Sequence, residues 1–134
     1  MDIFKTRSSA IKKTILIVDD EEDFCFFVKL NLEQTGKFDV LTATSGAEGI
    51  QMAIKYQPDL ILLDIIMPNM PGTQVAEELL NHKATKAIPI IFVTAIVKRG
   101  EVGPRDDKIG GRYFIFKPVK LDELVSEIGT RLND

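Results

Sequence analysis

Leu60-Ile61-Leu62-Leu63-Asp64-Ile65-Ile66-Met67-Pro68 carries four apolar residues into a carboxylate. A short continuous apolar run, bounded downstream by Pro68, Pro71 and Gly72, reads as a strand buried on both faces. Packing does not explain an aspartate at its tip, because a buried carboxylate needs a partner. A second run ends the same way, with Ile15-Leu16-Ile17-Val18 leading into Asp19-Asp20. Two strand tips bearing three carboxylates suggest a hard-cation site with one carboxylate left for chemistry.

Outward from these two runs the chain alternates strand and helix. Residues 14–19 form the first predicted strand, and residues 20–34 a helix with Phe24, Phe27, Val28 and Leu32 at helical spacing and Gly36 as its stop. Residues 38–43 form a second strand. Ser45-Gly46-Ala47-Glu48 has the form of a capping box, opening a helix that runs to Tyr56 and cannot pass Pro58. The third strand is 59–64. A helix over 73–81 comes next, with Val75, Leu79 and Leu80 apolar, then strands at 88–93 and 113–116. An amphipathic helix over 121–132 carries Leu121, Leu124, Val125 and Ile128 on one face. Continuous apolar strands separated by helices predict an α/β fold, a parallel sheet covered on both faces. Right-handed crossovers then gather the strands' carboxyl ends at one edge, where open α/β sheets bind ligands. Asp19, Asp20, Asp64, Thr94 and Lys117 all fall at that edge.

Composition agrees with one folded domain. The chain has 134 residues, 45% hydrophobic and 28% charged, with a net charge of -3. That balance excludes a disordered chain and argues against direct nucleic-acid binding. No apolar run is long enough for membrane insertion, and no secretion signal is seen. The lone Cys25 fits a reducing, cytoplasmic setting and reads as a small packing residue within a helix. Residues 1–13 are polar and mildly basic, a flexible N-terminal arm; residues 14–134 are the domain. His82 has no companion histidine and reads as a surface residue.

The convergent residues suit phosphoryl transfer. Asp20 and Asp64 can hold Mg2+, with Asp19 acting directly or through water and a backbone carbonyl such as that of Ile66 adding a ligand. Lys117 supplies a point charge for a phosphate, and the Thr94 hydroxyl a hydrogen bond. Asp64 is then the nucleophile, and its product an aspartyl phosphate.

Asp19-Asp20, Asp64-Ile65-Ile66-Met67-Pro68 with Gly72, Thr94-Ala95 and Lys117-Pro118 together resemble the receiver domain of two-component response regulators. Their order and separations are usual for that family, and the likeness covers residues 14–132. It implies a flavodoxin-like three-layer sandwich, with a five-stranded sheet in the order 2-1-3-4-5 and about five helices. It also implies residue roles. Asp64 matches the phosphoacceptor, Asp19 and Asp20 the magnesium-binding pair, and Lys117 the phosphate-pairing lysine. Thr94 and Phe114 match the switch pair, and Pro118 a proline preceded by a cis peptide bond. The implied function is a switch phosphorylated by a sensor histidine kinase or a histidine phosphotransfer protein and read out through protein contacts, with homodimerisation open. On this reading the chain is a stand-alone receiver or one cut from a larger protein, promotes its own phosphorylation and slow dephosphorylation, and is not an enzyme with a turned-over substrate.

Two departures stand out. Residues 96–111 contain Gly100, Gly103, Pro104, Gly110 and Gly111, so the fourth helix is expected to be short or irregular. Ile66 and Ile96 occupy the positions two after Asp64 and two after Thr94, where apolar side chains cannot orient an attacking water. A persistent phosphoryl group is therefore expected. Two other classes remain to be separated from the switch: an aspartate-nucleophile phosphatase or transferase, and a receiver-like module that is never phosphorylated.

Overall fold

The computed structural model describes residues 11–95, 108–109 and 112–133. Six strands and four helices occupy them, in the order β1 Lys13–Val18, α1 Glu22–Gln34, β2 Phe38–Ala43, α2 Gly46–Tyr56, β3 Leu60–Leu63, α3 Gly72–Leu80, β4 Ile90–Ala95, β5 Lys108–Ile109, β6 Arg112–Lys117 and α4 Leu121–Asn133. One sheet holds all the strands, ordered β2-β1-β3-β4-β6-β5. Its five long strands are parallel and follow the expected 2-1-3-4-5 arrangement. The sixth is a finding: two residues, Lys108 and Ile109, pair antiparallel with Tyr113 and Arg112 at the sheet's edge. The rest of the expected irregular helix, and residues 1–10 of the expected arm, lie outside the described residues.

Two hydrophobic layers sandwich the sheet, because strand side chains alternate faces. Ile15, Ile17, Leu60, Leu62, Ile91 and Val93 face α1 and α4, where Val28, Leu32, Leu124 and Ile128 meet them. Leu16, Val18, Ile61, Leu63, Ile90 and Phe92 face α2 and α3, against Ala53, Val75, Ala76 and Leu79. At about 1.5–3 kcal/mol for each buried Leu, Ile or Val, these layers hold the strand tips in place.

Local signals explain the element ends. Ser45 Oγ accepts from the Glu48 N–H at 3.1 Å, and Glu48 Oε1 accepts from the Thr44 N–H at 2.9 Å, a reciprocal cap on α2. Gly36 ends α1 with φ 79°, a left-handed conformation that a residue without Cβ adopts cheaply. At the sheet's other edge, β2, Lys29 Nζ donates to the Val40 carbonyl at 2.8 Å while Glu33 Oε2 accepts the Val40 N–H at 3.1 Å. Lys29 and Glu33 also pair with each other at 3.0 Å.

Several details differ from the pattern read in sequence. α1 begins at Glu22 rather than Asp20, because Asp19 Oδ1 accepts the Glu21 N–H at 2.9 Å and keeps Glu21 extended. Its buried stripe is Cys25, Val28 and Leu32, while Phe27 is 45% exposed. The face is centred one residue beyond Phe24, which puts Phe24 on the rim and Phe27 outside it. Leu80, at the end of α3, is likewise exposed, and Val75, Ala76 and Leu79 carry the packing.

Candidate phosphoryl-transfer site

The carboxyl ends of β1, β3, β4 and β6 meet around a cavity of about 230 Å³ lined by Asp20, Glu21, Asp64, Ile66, Thr94, Ala95 and Lys117. The register makes this convergence. Val18 lies beside Leu63, and Ala95 beside Lys117, so the next residues of β1 and β3 are the carboxylates. The backbone ladder continues one step further, with the Asp64 N–H donating to the Val18 carbonyl at 3.0 Å. Asp64 is therefore held in place through its main chain, and its side chain is 6% exposed.

Asp19, Asp20 and Asp64 each place a carboxylate oxygen within 4.8 Å of the others'. Three carboxylates so close repel one another unless a cation lies between them. The donor set is all oxygen, which suits a hard divalent cation. The three could hold a metal ion, as the sequence led us to expect. Asp20 is exposed, whereas Asp19 and Asp64 are buried, so the cluster opens to solvent on the Asp20 side.

Lys117 is the cluster's counterion. Its ammonium lies 2.9 Å from Asp19 Oδ2, 2.8 Å from Glu21 Oε1 and 3.7 Å from Asp64 Oδ2. It also stands over the Phe24 ring, 4.3 Å from the centroid. Burial alone would push its pKa down. The contacts with Glu21 and Asp19 and the field of Asp64 outweigh burial and hold it above the usual lysine range. Asp19 is pushed up, chiefly by burial and further by Asp64, against the opposing pull of Lys117 and the Glu21 N–H. Its Oδ2 makes an ion pair with Lys117 but receives no well-aligned hydrogen bond, and so remains an open acceptor.

Thr94 is 5% exposed and its hydroxyl has no hydrogen-bond partner among the described residues, so it is a donor available to a ligand in the cavity. Alternation along β4 puts Thr94 on the same face as Phe92. Phe114, the other expected switch residue, lies beside Phe92 in the register, with ring centroids 5.1 Å apart. Phe114 also stacks against Phe116, with centroids 6.1 Å apart, and is only partly buried. The Lys117–Pro118 peptide bond is cis. Ile66 lines the cavity with its side chain 56% exposed, and its N–H reaches Asp64 Oδ1 at 3.3 Å. Ile96 lies outside the described residues.

All the acidic, lysine and hydroxyl residues expected from the sequence thus come together. His82 stays apart, its Nδ1 accepting the Ala84 N–H at 3.1 Å in the loop after α3. Cys25 is buried, and its thiol donates to the Asp19 carbonyl at 3.3 Å. Glu21 and Phe24 are the site residues that the sequence pattern did not single out. Glu21 falls in the first turn of the helix predicted over residues 20–34, where an acidic residue is ordinary. Its place, directly after two site aspartates at the carboxyl edge of β1, was the available signal.

A doubly wound α/β domain with an acidic triad, a lysine and a buried hydroxyl at its carboxyl edge defines a class, the phosphoacceptor switch domains. The sequence matches the response regulator receiver domain family over residues 15–129, and the chain belongs to that family. Phosphorylation-dependent signalling is the family's function, and receiver domains interact with histidine kinases or phosphotransfer proteins. The chain is 35% identical to protein PilH of Pseudomonas aeruginosa, covering 88% of this chain and 96% of PilH. It is also 35% identical to a probable cyclic di-GMP phosphodiesterase of Vibrio cholerae, covering 90% of this chain but only 27% of that protein. Of three curated relatives, the chain spans less than half the length: 27%, 46% and 34%. Among solved structures, a putative response regulator from Chloroflexus aurantiacus superposes with a TM-score of 0.79 at 29% identity, covering 92% of this chain and all of that one. No helix among the described residues is long and apolar enough to cross a membrane.

Proposed function

We propose that Asp64 accepts a phosphoryl group from a phosphohistidine of a sensor histidine kinase or histidine phosphotransfer protein. The observation that carries this reading is the cavity itself: a nearly buried Asp64 beside two further carboxylates, with Lys117 at 3.7 Å and an unsatisfied Thr94 hydroxyl. In the transfer an Asp64 carboxylate oxygen attacks phosphorus. The O–P bond forms as the P–N bond breaks, and the electron pair leaves with the imidazole nitrogen. Lys117 neutralises the incoming phosphoryl oxygens, and the Thr94 hydroxyl donates to one of them. Asp19, Asp20, Asp64 and the Ile66 carbonyl would hold magnesium, which supplies charge neutralisation when bound. Movement of Thr94 toward the new anion frees space beside Phe114, and that pair biases the domain between two states. The signal leaves through protein contacts, in the cytoplasm.

The alternative of a hydrolytic enzyme is disfavoured by Ile66, which stands where a phosphatase of the aspartate-nucleophile type commonly puts its general acid. Incubation with magnesium and acetyl phosphate, followed by intact mass and phosphate release, separates the readings. The switch gives one added phosphoryl group, absent from Asp64→Asn. Continuous phosphate release over many turnovers would instead identify an enzyme, and no mass gain would identify an inert module.

A further inference from the structure

The shortest contact of the Lys117 ammonium is with Glu21, not with the buried aspartates. Glu21 is the N-cap residue of α1, yet its side chain caps nothing. Ser, Thr, Asp and Asn are the side chains that ordinarily accept from their own helix at this position, and the longer glutamate is left free to bind elsewhere. Here the carboxylate turns away and closes one wall of the cavity, 61% exposed, while the lysine it binds is 15% exposed. An ammonium has three donors. Glu21 and Asp19 take the two close contacts, and Asp64 stands further off at 3.7 Å.

A phosphoryl group on Asp64 replaces the single carboxylate charge with up to about two, a net gain of about one, and brings three acceptor oxygens to this lysine. The phosphoryl oxygens compete with Glu21 for Lys117, because two anions drawn to one ammonium repel each other. Asp19 is buried and held by the Glu21 N–H, so it cannot move out of the way. Glu21 can, because its side chain opens to water.

We propose that Glu21 is an exchangeable counterion for Lys117: it holds the lysine in the unphosphorylated domain and gives it up to the phosphoryl group on Asp64. This rests on the assignment of Asp64 as phosphoacceptor. Glu21 is thus a positioning residue whose competition lowers the rate of phosphorylation. Its release also leaves an unpaired carboxylate at the start of α1, beside Glu22 and Asp23, so the phosphorylated domain differs there in charge as well as at Asp64. The exchange itself makes and breaks no covalent bond.

Glu21→Gln removes the competitor while keeping the shape. Glu22→Gln is its control, since it removes the same charge from the next residue, which does not pair with Lys117. Two measurements are needed on the full chain. In the absence of phosphodonor, the Lys117 side-chain NMR signal, assigned by its loss in Lys117→Arg, moves in Glu21→Gln and stays in Glu22→Gln. With magnesium and acetyl phosphate, intact mass shows Glu21→Gln gaining its phosphoryl group about three- to fivefold faster than wild type, the scale of one exposed ion pair. Glu22→Gln follows wild type. Equal rates in the two variants would overturn the exchange while leaving Asp64 as phosphoacceptor. No mass gain in the wild type would overturn the phosphoacceptor reading and the exchange with it, whatever the Lys117 signal does.

Discussion

Gly72 lies so close beneath Asp64 that a methyl group on its Cα would overlap the Asp64 carbonyl oxygen. Its N–H donates to the Ile65 carbonyl at 2.8 Å, so the loop that leaves β3 closes back on its own beginning. The obstacle is backbone, not a flexible side chain, and cannot rotate away. Gly72→Ala is expected to cost about 2 kcal/mol or more, the scale of an overpacked core. Urea unfolding measures it. A loss under about 0.5 kcal/mol, the range of an ordinary surface substitution, would mean that the loop yields easily. The same variant should also take up phosphoryl more slowly, since the shift falls on Asp64.

The acidic triad predicts opposite effects of one substitution with and without metal. In EDTA, Asp20→Asn relieves repulsion among three carboxylates and should raise the urea midpoint. With magnesium at about 100 times its dissociation constant, the wild type gains about 2.7 kcal/mol by mass action. Asp20→Asn, lacking a ligand, should gain much less at the same concentration. An equal gain in both proteins would remove Asp20 from the metal site.

Ile66 is half exposed over the cavity and offers no polar atom from its side chain. Ile66→Asn places an amide where it can orient water toward the aspartyl phosphate. The phosphoryl group should then be lost several-fold faster, followed by intact mass after removal of the donor. Unchanged lifetimes would sink the link between this apolar side chain and a persistent phosphoryl state.

Glu33 carries a pH dependence remote from the site. The Val40 N–H, and then Lys29, hold its carboxyl below the ordinary 4.5. The folded state therefore binds fewer protons than the unfolded one in that range. The stabilisation is complete above 4.5 and is lost as the pH falls through the lower folded value. Glu33→Gln should be slightly less stable than wild type at neutral pH, with the gap narrowing in acid. The Glu33 side chain is 38% exposed, so solvent screening keeps the effect small. A gap that stays constant on acidification through the carboxylate range would contradict the assignment.

Burial, with help from the field of Asp19, pushes the Cys25 thiol up to about 12. In mildly alkaline buffer the folded protein should resist iodoacetamide, and urea should expose the thiol to a single alkylation seen by mass. Folded-state labelling at the rate of a free thiol would contradict both the burial and the raised pKa.

The sheet was largely readable from sequence because it is written in continuous apolar runs. Ile15 to Val18 and Leu60 to Leu63 have no polar residue to confuse their register, and each run leads directly into a site carboxylate. The Ser45–Glu48 cap and Gly36 were equally plain, since each is a local device with one geometric meaning. Helix faces were less so. Phe24, Phe27, Val28 and Leu32 all fit one helical face in sequence, and only the sheet decides that Phe27 lies outside the buried stripe of Cys25, Val28 and Leu32. The role of Glu21 was hidden for a different reason. An acidic residue at a helix start already has a sufficient local explanation, and only the three-dimensional arrival of Lys117, far along the chain, supplies another. The antiparallel pairing of Lys108 and Ile109 was hidden too, because two residues carry no periodicity.

The contacts of Lys29 and Glu33 with Val40 have a consequence beyond stability. A sheet's outermost strand normally presents free amides and carbonyls that another chain can zip onto. At Val40 both groups are already occupied, and by a charged pair that a visiting strand would have to displace and desolvate. At this point the margin resists templated growth. A strand from another chain would therefore have to break a charged pair as well as shed water before it could extend the sheet at Val40.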